Sequence, residues 1–224
     1  MKNLRMTILT CACLAAAHVF AQKVAYRPTA HYGARVDKFA SLPPIDSATT
    51  VMLGNSLTEY GGDWGRRLHA DNVVNRGIAG DDATGIAHRL CQILPGKPRK
   101  IFLMVGINDL SHGLTAAQTA SLACRLIDRI RRDAPDTELY VQSVLPINES
   151  TGRWKRLAGR TDDVPEINRL LSRHCSQAGI TYIDLYSKFV RRGTNVLRRE
   201  LTSDGLHLSP QGYKLWAFEL RKYM

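Results

Sequence analysis

Apolar and polar positions follow one another in blocks along this chain. Five short runs are apolar or β-prone at nearly every residue: Thr50–Leu53, Val73–Val74, Ile101–Val105, Leu139–Val144 and Ile180–Leu185. A strand that is apolar on both faces of its pleat is buried on both, which is what parallel sheets require. Between the runs lie segments with helical spacing near 63–70, 84–94, 116–134 and 164–178, and a last one from Pro210 to about Lys222. This alternation of β and α predicts an α/β protein, a three-layer α/β/α sandwich around a parallel five-stranded sheet.

The expected helix ends agree with that order. Ser209-Pro210 is an N-cap followed by proline at the first helical position, and Thr115 before Ala116-Ala117 is a second start. Pro135 ends the preceding segment, and Ala178-Gly179 is a C-terminal stop. Ahead of the first strand, residues 22–49 form a mixed leader. In it Tyr32 to Ala40 is a short helix candidate, and Leu42-Pro43-Pro44 forces extended chain. From Pro146 to Val164 no period is visible; a stretch of that length in a compact domain is expected to be a functional surface loop.

At 224 residues the chain suits one domain, and 44% hydrophobic with 23% charged residues supplies a single core. The first 21 residues stand apart. Lys2 and Arg5 precede a mostly apolar stretch from Ile8 to Val19, and Val19-Phe20-Ala21 has the form of a cleavage site. The alternative is a buried first strand or helix, but the pattern favours a signal peptide over 1–21, hence a secreted or periplasmic protein with no stable membrane anchor. Residues 1–21 hold two of the 31 basic and none of the 20 acidic residues, which leaves 29 against 20, a net +9. The arginines are scattered pairs without interleaved aromatic residues, so the surplus predicts a solvated basic surface and no nucleic-acid partner. Cys91, Cys124 and Cys175 are widely spaced and lack metal or redox spacing; small buried apolar groups are expected, with at most one disulfide.

Three turns follow the first three runs, where open α/β sheets bind ligands at the carboxyl ends of strands: Gly54-Asn55-Ser56, Gly77 to Gly80, and Gly106 to Asp109. Ser56 is the candidate nucleophile; the competing role is capping a helix that begins at Leu57. A serine hydroxyl needs a base and the base an orienting carboxylate. Asp204-Gly205-Leu206-His207 offers both, three residues apart, so the carboxylate can curl back onto the ring. His31, His69, His88, His112 and His174 have no such neighbour in sequence and are expected to be structural or surface groups. Donors for a tetrahedral oxyanion are the Ser56 N–H, the Gly80 N–H and the Asn108 side-chain amide, the last equally suited to stabilising its turn.

These blocks, Gly54-Asn55-Ser56, Asn75 through Asp81, Gly106-Ile107-Asn108-Asp109 and Asp204-Gly205-Leu206-His207, resemble the four blocks of the SGNH hydrolases, also called the GDSL lipase/acylhydrolase family. The resemblance spans about residues 50–222. It implies a flavodoxin-like fold and metal-free, cofactor-free ester hydrolysis through an acyl-serine. Ser56 would be the nucleophile, Gly80 and Asn108 would join Ser56 in the oxyanion hole, and Asp204 and His207 would complete the triad. Asn55 stands where the usual motif has aspartate, so hydrogen bonding there must differ. Met52 through Glu59 with Asn75 to Ile78 is similar to the branch of platelet-activating-factor acetylhydrolase and of bacterial sialate or carbohydrate O-acetylesterases.

The resulting expectation is a signal peptide at 1–21, a leader at 22–49 and a catalytic domain at 50–224. That domain is an esterase removing a short acyl group, chiefly acetyl, from a small-molecule or glycan ester. A lipase or lysophospholipase for longer chains is the nearest rival. Trp154, with Arg153, Lys155 and Arg156, is placed to shape that choice. Two readings from other classes are a metal-dependent hydrolase using Asp81, Asp82, Asn108 and Asp109, disfavoured by the lack of a histidine at ligand spacing, and a non-catalytic glycan-binding module.

Overall fold

The computed structural model describes residues 28–224, so the expected signal segment at 1–21 lies outside the described residues. The five apolar runs become β1 (Thr50–Gly54), β2 (Val73–Gly77), β3 (Lys100–Met104), β4 (Glu138–Gln142) and β5 (Thr181–Ile183). They pair in parallel in the spatial order β2-β1-β3-β4-β5. This is the flavodoxin-like doubly wound order, whose direction of winding reverses between β1 and β3 and opens a crevice beyond their carboxyl ends.

The pleat sorts the strand residues between two cores. Val51, Leu53, Ile101, Leu103 and Val141 face a layer made by α4 (Ala83–Arg89), α6 (Ala116–Asp133) and α7 (Asp163–Ala178). Met52, Phe102, Met104 and Ile183 face α3 (Trp64–Leu68), α8 (Tyr186–Phe189) and α9 (Pro210–Leu220). On that second side the Trp64 and Trp216 rings meet edge to face at 4.9 Å, and Trp216 donates its indole N–H to Gln142 Oε1 at 2.7 Å. The partner matters because a buried indole N–H without one is costly.

Helix ends fall where the capping residues put them. Thr115 and Gln118 form a reciprocal capping box at the start of α6. Ser209 accepts from the Gly212 N–H with Pro210 in the first turn of α9, and Gly179 closes α7 at φ 65°. The segment expected over 84–94 is a shorter helix. It ends at Arg89 and continues as single 3-10 turns over Leu90–Gln92 and Leu94–Gly96, the second containing Pro95, which has no N–H for an α-helical bond. Two elements, α5 (Ile107–Ser111) and α8, are too short to leave a period in the sequence. The expected surface loop from 146 to 164 is anchored: Ile147, Leu157 and Val164 are buried, and two 3-10 turns lie over Glu149–Thr151 and Lys155–Leu157.

The cysteines depart from expectation at one position. All three are free; Cys175 is buried, Cys124 partly so, and Cys91 is exposed, because the 3-10 turn after α4 points Leu90 and Ile93 inward instead. Burial pushes the Cys175 thiol up to about 12. Among the described residues no helix is long and apolar enough to cross a membrane.

Candidate active site

Ser56 begins a four-residue helix, α2 (Ser56–Glu59), directly beyond the fully buried β1. Asn55 is its N-cap, with Oδ1 accepting from the Leu57 N–H at 3.0 Å. Its Nδ2 is buried without a partner, so the asparagine at this point of the motif carries a donor that nothing accepts. A helix this short cannot hold its own carbonyls, and side chains do so instead. The Leu57 carbonyl accepts from the Tyr213 hydroxyl at 2.9 Å, Thr58 from the Trp64 indole at 2.9 Å and from Asn75 Nδ2 at 3.0 Å, and Glu59 from Asn75 Nδ2 at 3.0 Å. The backbone that carries Ser56 is thereby held by α9, α3 and β2.

The expected acid and base lie in the turn before α9. Asp204 Oδ1 accepts from the Leu206 and His207 N–H groups at 3.0 and 2.8 Å, which curls the carboxylate back over its own turn. Its Oδ2 then lies 2.9 Å from His207 Nδ1, and His207 Nε2 lies 3.0 Å from Ser56 Oγ. A ring that donates from Nδ1 to a carboxylate has Nε2 free to accept the serine proton. Partial burial works to raise the Asp204 pKa, but the bonds from the His207 ring and the two amides outweigh it and hold the carboxyl below its ordinary value. Gly205 sits at φ 93°, and a Cβ there would stand 2.2 Å from the Asn148 carbonyl oxygen, so only glycine fits between the two segments.

The three donors expected for an oxyanion lie on adjacent strand ends. Gly54 is in register with Gly77 on one side and Met104 on the other, which sets the turns after β1, β2 and β3 side by side. Ser56 is the first residue of α2, where an N–H has no intrahelical acceptor. Gly80 is the third residue of a turn closed by the Asp81 N–H on the Ile78 carbonyl at 3.1 Å, with φ 84°, the position where a type II turn calls for glycine. Asn108 spends one amide hydrogen on the Asp81 carbonyl at 2.8 Å, which orients the other. Sequence reading missed the group that ties these turns together. Arg89, 2% exposed, donates Nε to Asp81 Oδ2 at 2.8 Å, Nη1 to the Arg76 carbonyl at 2.8 Å and Nη2 to the Gly54 carbonyl at 3.0 Å.

The carboxylates once weighed as metal ligands have internal partners. Asp81 pairs with Arg89; Asp82 accepts from the Gly85 N–H at 2.9 Å and lies 3.1 Å from His112 Nδ1; Asp109 accepts from the Ala83 N–H at 3.2 Å. Among the described residues no three His, Cys, Asp or Glu side chains gather as a metal site. Asp109 is 2% exposed, and burial together with the nearby charge of Asp82 pushes its pKa up to about 7. A carboxyl raised on folding adds stability that is complete below its unfolded pKa of about 4 and is lost as pH rises through the folded value. Asp109→Asn keeps the acceptor for Ala83 and removes the titration. The variant is therefore expected to gain stability relative to the parent between about pH 4 and 7. Urea midpoints measured at pH 5 and pH 8 check this, and a difference that is the same at both removes the buried acid from the pH dependence.

Over the site lies the 146–164 segment. Glu149 gathers it by accepting from the Gly159, Arg160 and Thr161 N–H groups and the Thr161 hydroxyl. Thr151 donates to the Asp204 carbonyl at 2.7 Å, and Asn148 to the Gly205 carbonyl at 2.7 Å. Trp154 thereby comes to rest edge-on to the His207 ring at 5.1 Å, while Tyr60 meets the same ring from α2's end, also at 5.1 Å. Of the four large apolar side chains exposed among the described residues, these are two. Behind Trp154 a cavity of about 250 Å³ is floored by Ile147, Leu157 and Ala158. Two more of the histidines without a sequence-near acid meet distant ones, His31 on Glu59 at 3.0 Å and His174 on Asp128 at 2.8 Å, while His69 Nε2 lies 3.1 Å from Arg221 Nη2.

Comparison with known proteins gives a consistent picture. The sequence model described as the GDSL-like lipase/acylhydrolase family matches residues 46–215. No curated protein matches the chain as a close relative. Among solved structures, the chain resembles a protein from Streptococcus pneumonia described as a platelet activating factor, at 24% identity and TM-score 0.75 over 86% of this chain and 92% of that one. A GDSL-like lipase from Bacteroides thetaiotaomicron is 19% identical, with TM-score 0.71 over 86% and 96% of the two chains. The acetyl xylan esterase AlAXEase is 18% identical, with TM-score 0.63 over 79% and 99%. At these identities the structural likeness speaks for the fold.

Proposed function

Because this chain belongs to the GDSL-like lipase/acylhydrolase family, we propose that it is an exported serine esterase hydrolysing short-chain, chiefly acetyl, esters of a carbohydrate. The observation that carries the reading is the continuous relay from Asp204 through His207 to Ser56, at 2.9 and 3.0 Å. Ser56 Oγ attacks the ester carbonyl carbon while His207 Nε2 takes its proton. The carbonyl electron pair moves onto oxygen, which the Ser56 and Gly80 N–H groups and the Asn108 amide hold. Collapse breaks the bond to the alcohol oxygen, which leaves with the proton from His207. Water then repeats the sequence on the acyl-serine and releases the acid.

The carbohydrate part of the reading comes from the His207 side of the site. The leaving alcohol must lie within reach of the ring nitrogen that protonates it, and there Tyr60 and Trp154 offer two exposed aromatic surfaces. Such surfaces suit a ring with an apolar face and a hydroxyl-bearing edge. Export is supported by the charged, apolar and small-residue order of residues 1–21. Acetate release from acetylated xylan and O-acetyl sialic acids, with p-nitrophenyl acetate as reference, tests the reading. Release from at least one sugar, with activity falling steeply beyond four acyl carbons, is expected. The apolar cavity behind Trp154 favours a second reading, an acylhydrolase for longer chains; a maximum at eight carbons or more would establish it in place of the first.

A further inference from the structure

The family match begins at residue 46, yet α1 (Ala30–Ala40), which precedes it, is bound to the oxyanion side of the site at several points. We propose that α1 is a clamp that positions the Gly80 N–H, acting through Arg35 and Glu59; this rests on the acyl-transfer reading of Ser56, Gly80 and Asn108.

Glu59, the last residue of α2, links α1 to the Gly80 turn. Its Oε2 accepts the Ala79 N–H at 2.5 Å, the amide immediately before Gly80. Its Oε1 lies 3.2 Å from Arg35 Nε, an ion pair without the alignment of a hydrogen bond, and both side chains are largely buried, at 13% and 19% exposed. His31 reaches the same carboxylate at 3.0 Å but is half exposed, so solvent screens that contact. Arg35 also donates Nη2 to the Gly77 carbonyl at 3.2 Å. Tyr32 donates its hydroxyl to the Gly85 carbonyl at 2.9 Å. The helix thus holds this segment directly at Gly77 and Gly85, and at Ala79 through Glu59 of α2.

Packing fixes the helix that does the holding. Phe39 is gripped between two guanidinium groups, Arg35 at 4.7 Å and Arg76 at 4.9 Å from the ring centre, and packs with Tyr32 and Ile78. Gln92 adds a bond from its amide to the Val36 carbonyl at 3.1 Å. Thr29 and Tyr32 also form one wall of an approximately 80 Å³ pocket whose opposite wall is the Gly80 turn and His112.

A clamp is needed here because of the glycine. Gly80 has no Cβ to limit its φ and ψ, so the placement of its N–H depends on how the residues before it are held. Gly80 is exposed, and a Cβ at Gly80 would meet nothing within 4 Å, so no packing of its own restrains it. Glu59 on the Ala79 N–H and Arg35 on the Gly77 carbonyl instead fix the chain from which the turn departs. Arg35 and Glu59 are in this sense positioning residues: they touch no reacting atom.

The test compares Arg35→Ala, Arg35→Lys, Glu59→Ala and Glu59→Gln with the parent protein. For each, p-nitrophenyl acetate kcat and KM are measured per site titrated with a fluorophosphonate, with the Ki of a trifluoromethyl ketone whose adduct carries the oxyanion. Misplacing one donor is expected to lower kcat per titrated site roughly ten- to hundredfold in the two alanine variants, with KM within about threefold. The ketone Ki is expected to rise by the same factor. Glu59→Gln keeps an acceptor for Ala79 and should lose less than Glu59→Ala, as Arg35→Lys should lose less than Arg35→Ala. Unchanged kcat per titrated site, or a loss confined to KM or to the titratable fraction, would overturn the clamp while leaving the esterase reading intact. A parent protein that neither reacts with the fluorophosphonate nor hydrolyses esters would overturn both.

Discussion

Replacing Ser56 by alanine is expected to lower p-nitrophenyl acetate hydrolysis by roughly 10⁴-fold or more and to leave the thermal midpoint within a few degrees of the parent. The first expectation follows from the relay, since without Oγ the His207 imidazole has no hydroxyl to deprotonate and only binding and the oxyanion donors remain to accelerate attack by water. The second follows from the local bonding. Ser56 Oγ makes one side-chain hydrogen bond, to a His207 ring that is partly exposed and takes water in its place. The α2 helix keeps its Asn55 cap and its bonds from Tyr213, Trp64 and Asn75. The measurements are kcat, fluorophosphonate labelling and a melting curve on the same preparation. More than about 1% of parental activity in a clean variant would show that another group is the nucleophile.

Arg89→Met is expected to cost about 3–5 kcal/mol, the range for breaking a buried ion pair from one side. Arg89 and Asp81 are each 1% exposed at the side chain and 2.8 Å apart. Removing the guanidinium leaves a carboxylate inside the protein facing no cation, and it leaves the Arg76 and Gly54 carbonyls without their donors. Burial already pushes the Asp81 pKa up to about 6 even with Arg89 beside it. Without that opposing charge the folded-state pKa climbs further, so the variant is penalised more at pH 8 than at pH 5. The sign follows because a raised carboxyl loses its folded-state advantage as pH increases. Adding Asp81→Asn to Arg89→Met should recover part of the loss, as it removes the uncompensated charge. Urea denaturation of the two variants at both pH values checks this. A cost under 1 kcal/mol, or one independent of pH, would mean that Arg89 does not neutralise Asp81. Because the Asp81 carbonyl orients Asn108, a fall in activity is expected alongside the loss of stability.

Why was so much of the site readable in one dimension and the rest not? The strands betray themselves because a parallel sheet covered on both faces demands unbroken apolar runs, and β1 and β3 are buried at every residue. Asp204 and His207 are readable because their contact spans three residues, a distance the sequence itself displays. Ser56, Gly80 and Asn108 are readable as turns after successive strands, and register makes them neighbours. Arg89, Glu59 and Arg35 carry no such mark. Their partners lie up to 42 residues away, and a lone arginine on a helix looks like any other solvated charge until the sheet order brings its carbonyls within reach. Trp154 was visible only as an aromatic in an aperiodic stretch; its place beside His207 depends on Glu149 gathering amides ten to twelve residues on. Cys91 misled for a related reason, since the change from α to 3-10 winding after Arg89 rotates it outward.

The bond between His207 and Ser56 spans 151 residues of chain. A polypeptide made from its amino end therefore displays the serine long before His207 exists to reach it. Contacts of such separation are slow to form, because the entropy of closing the loop must be spent before the contact rewards it. Until α9 docks and seats Tyr213 on α2, the hydroxyl is an ordinary alcohol. The order of the blocks along the chain thus leaves the serine without its base until the last of the four motif blocks has been made.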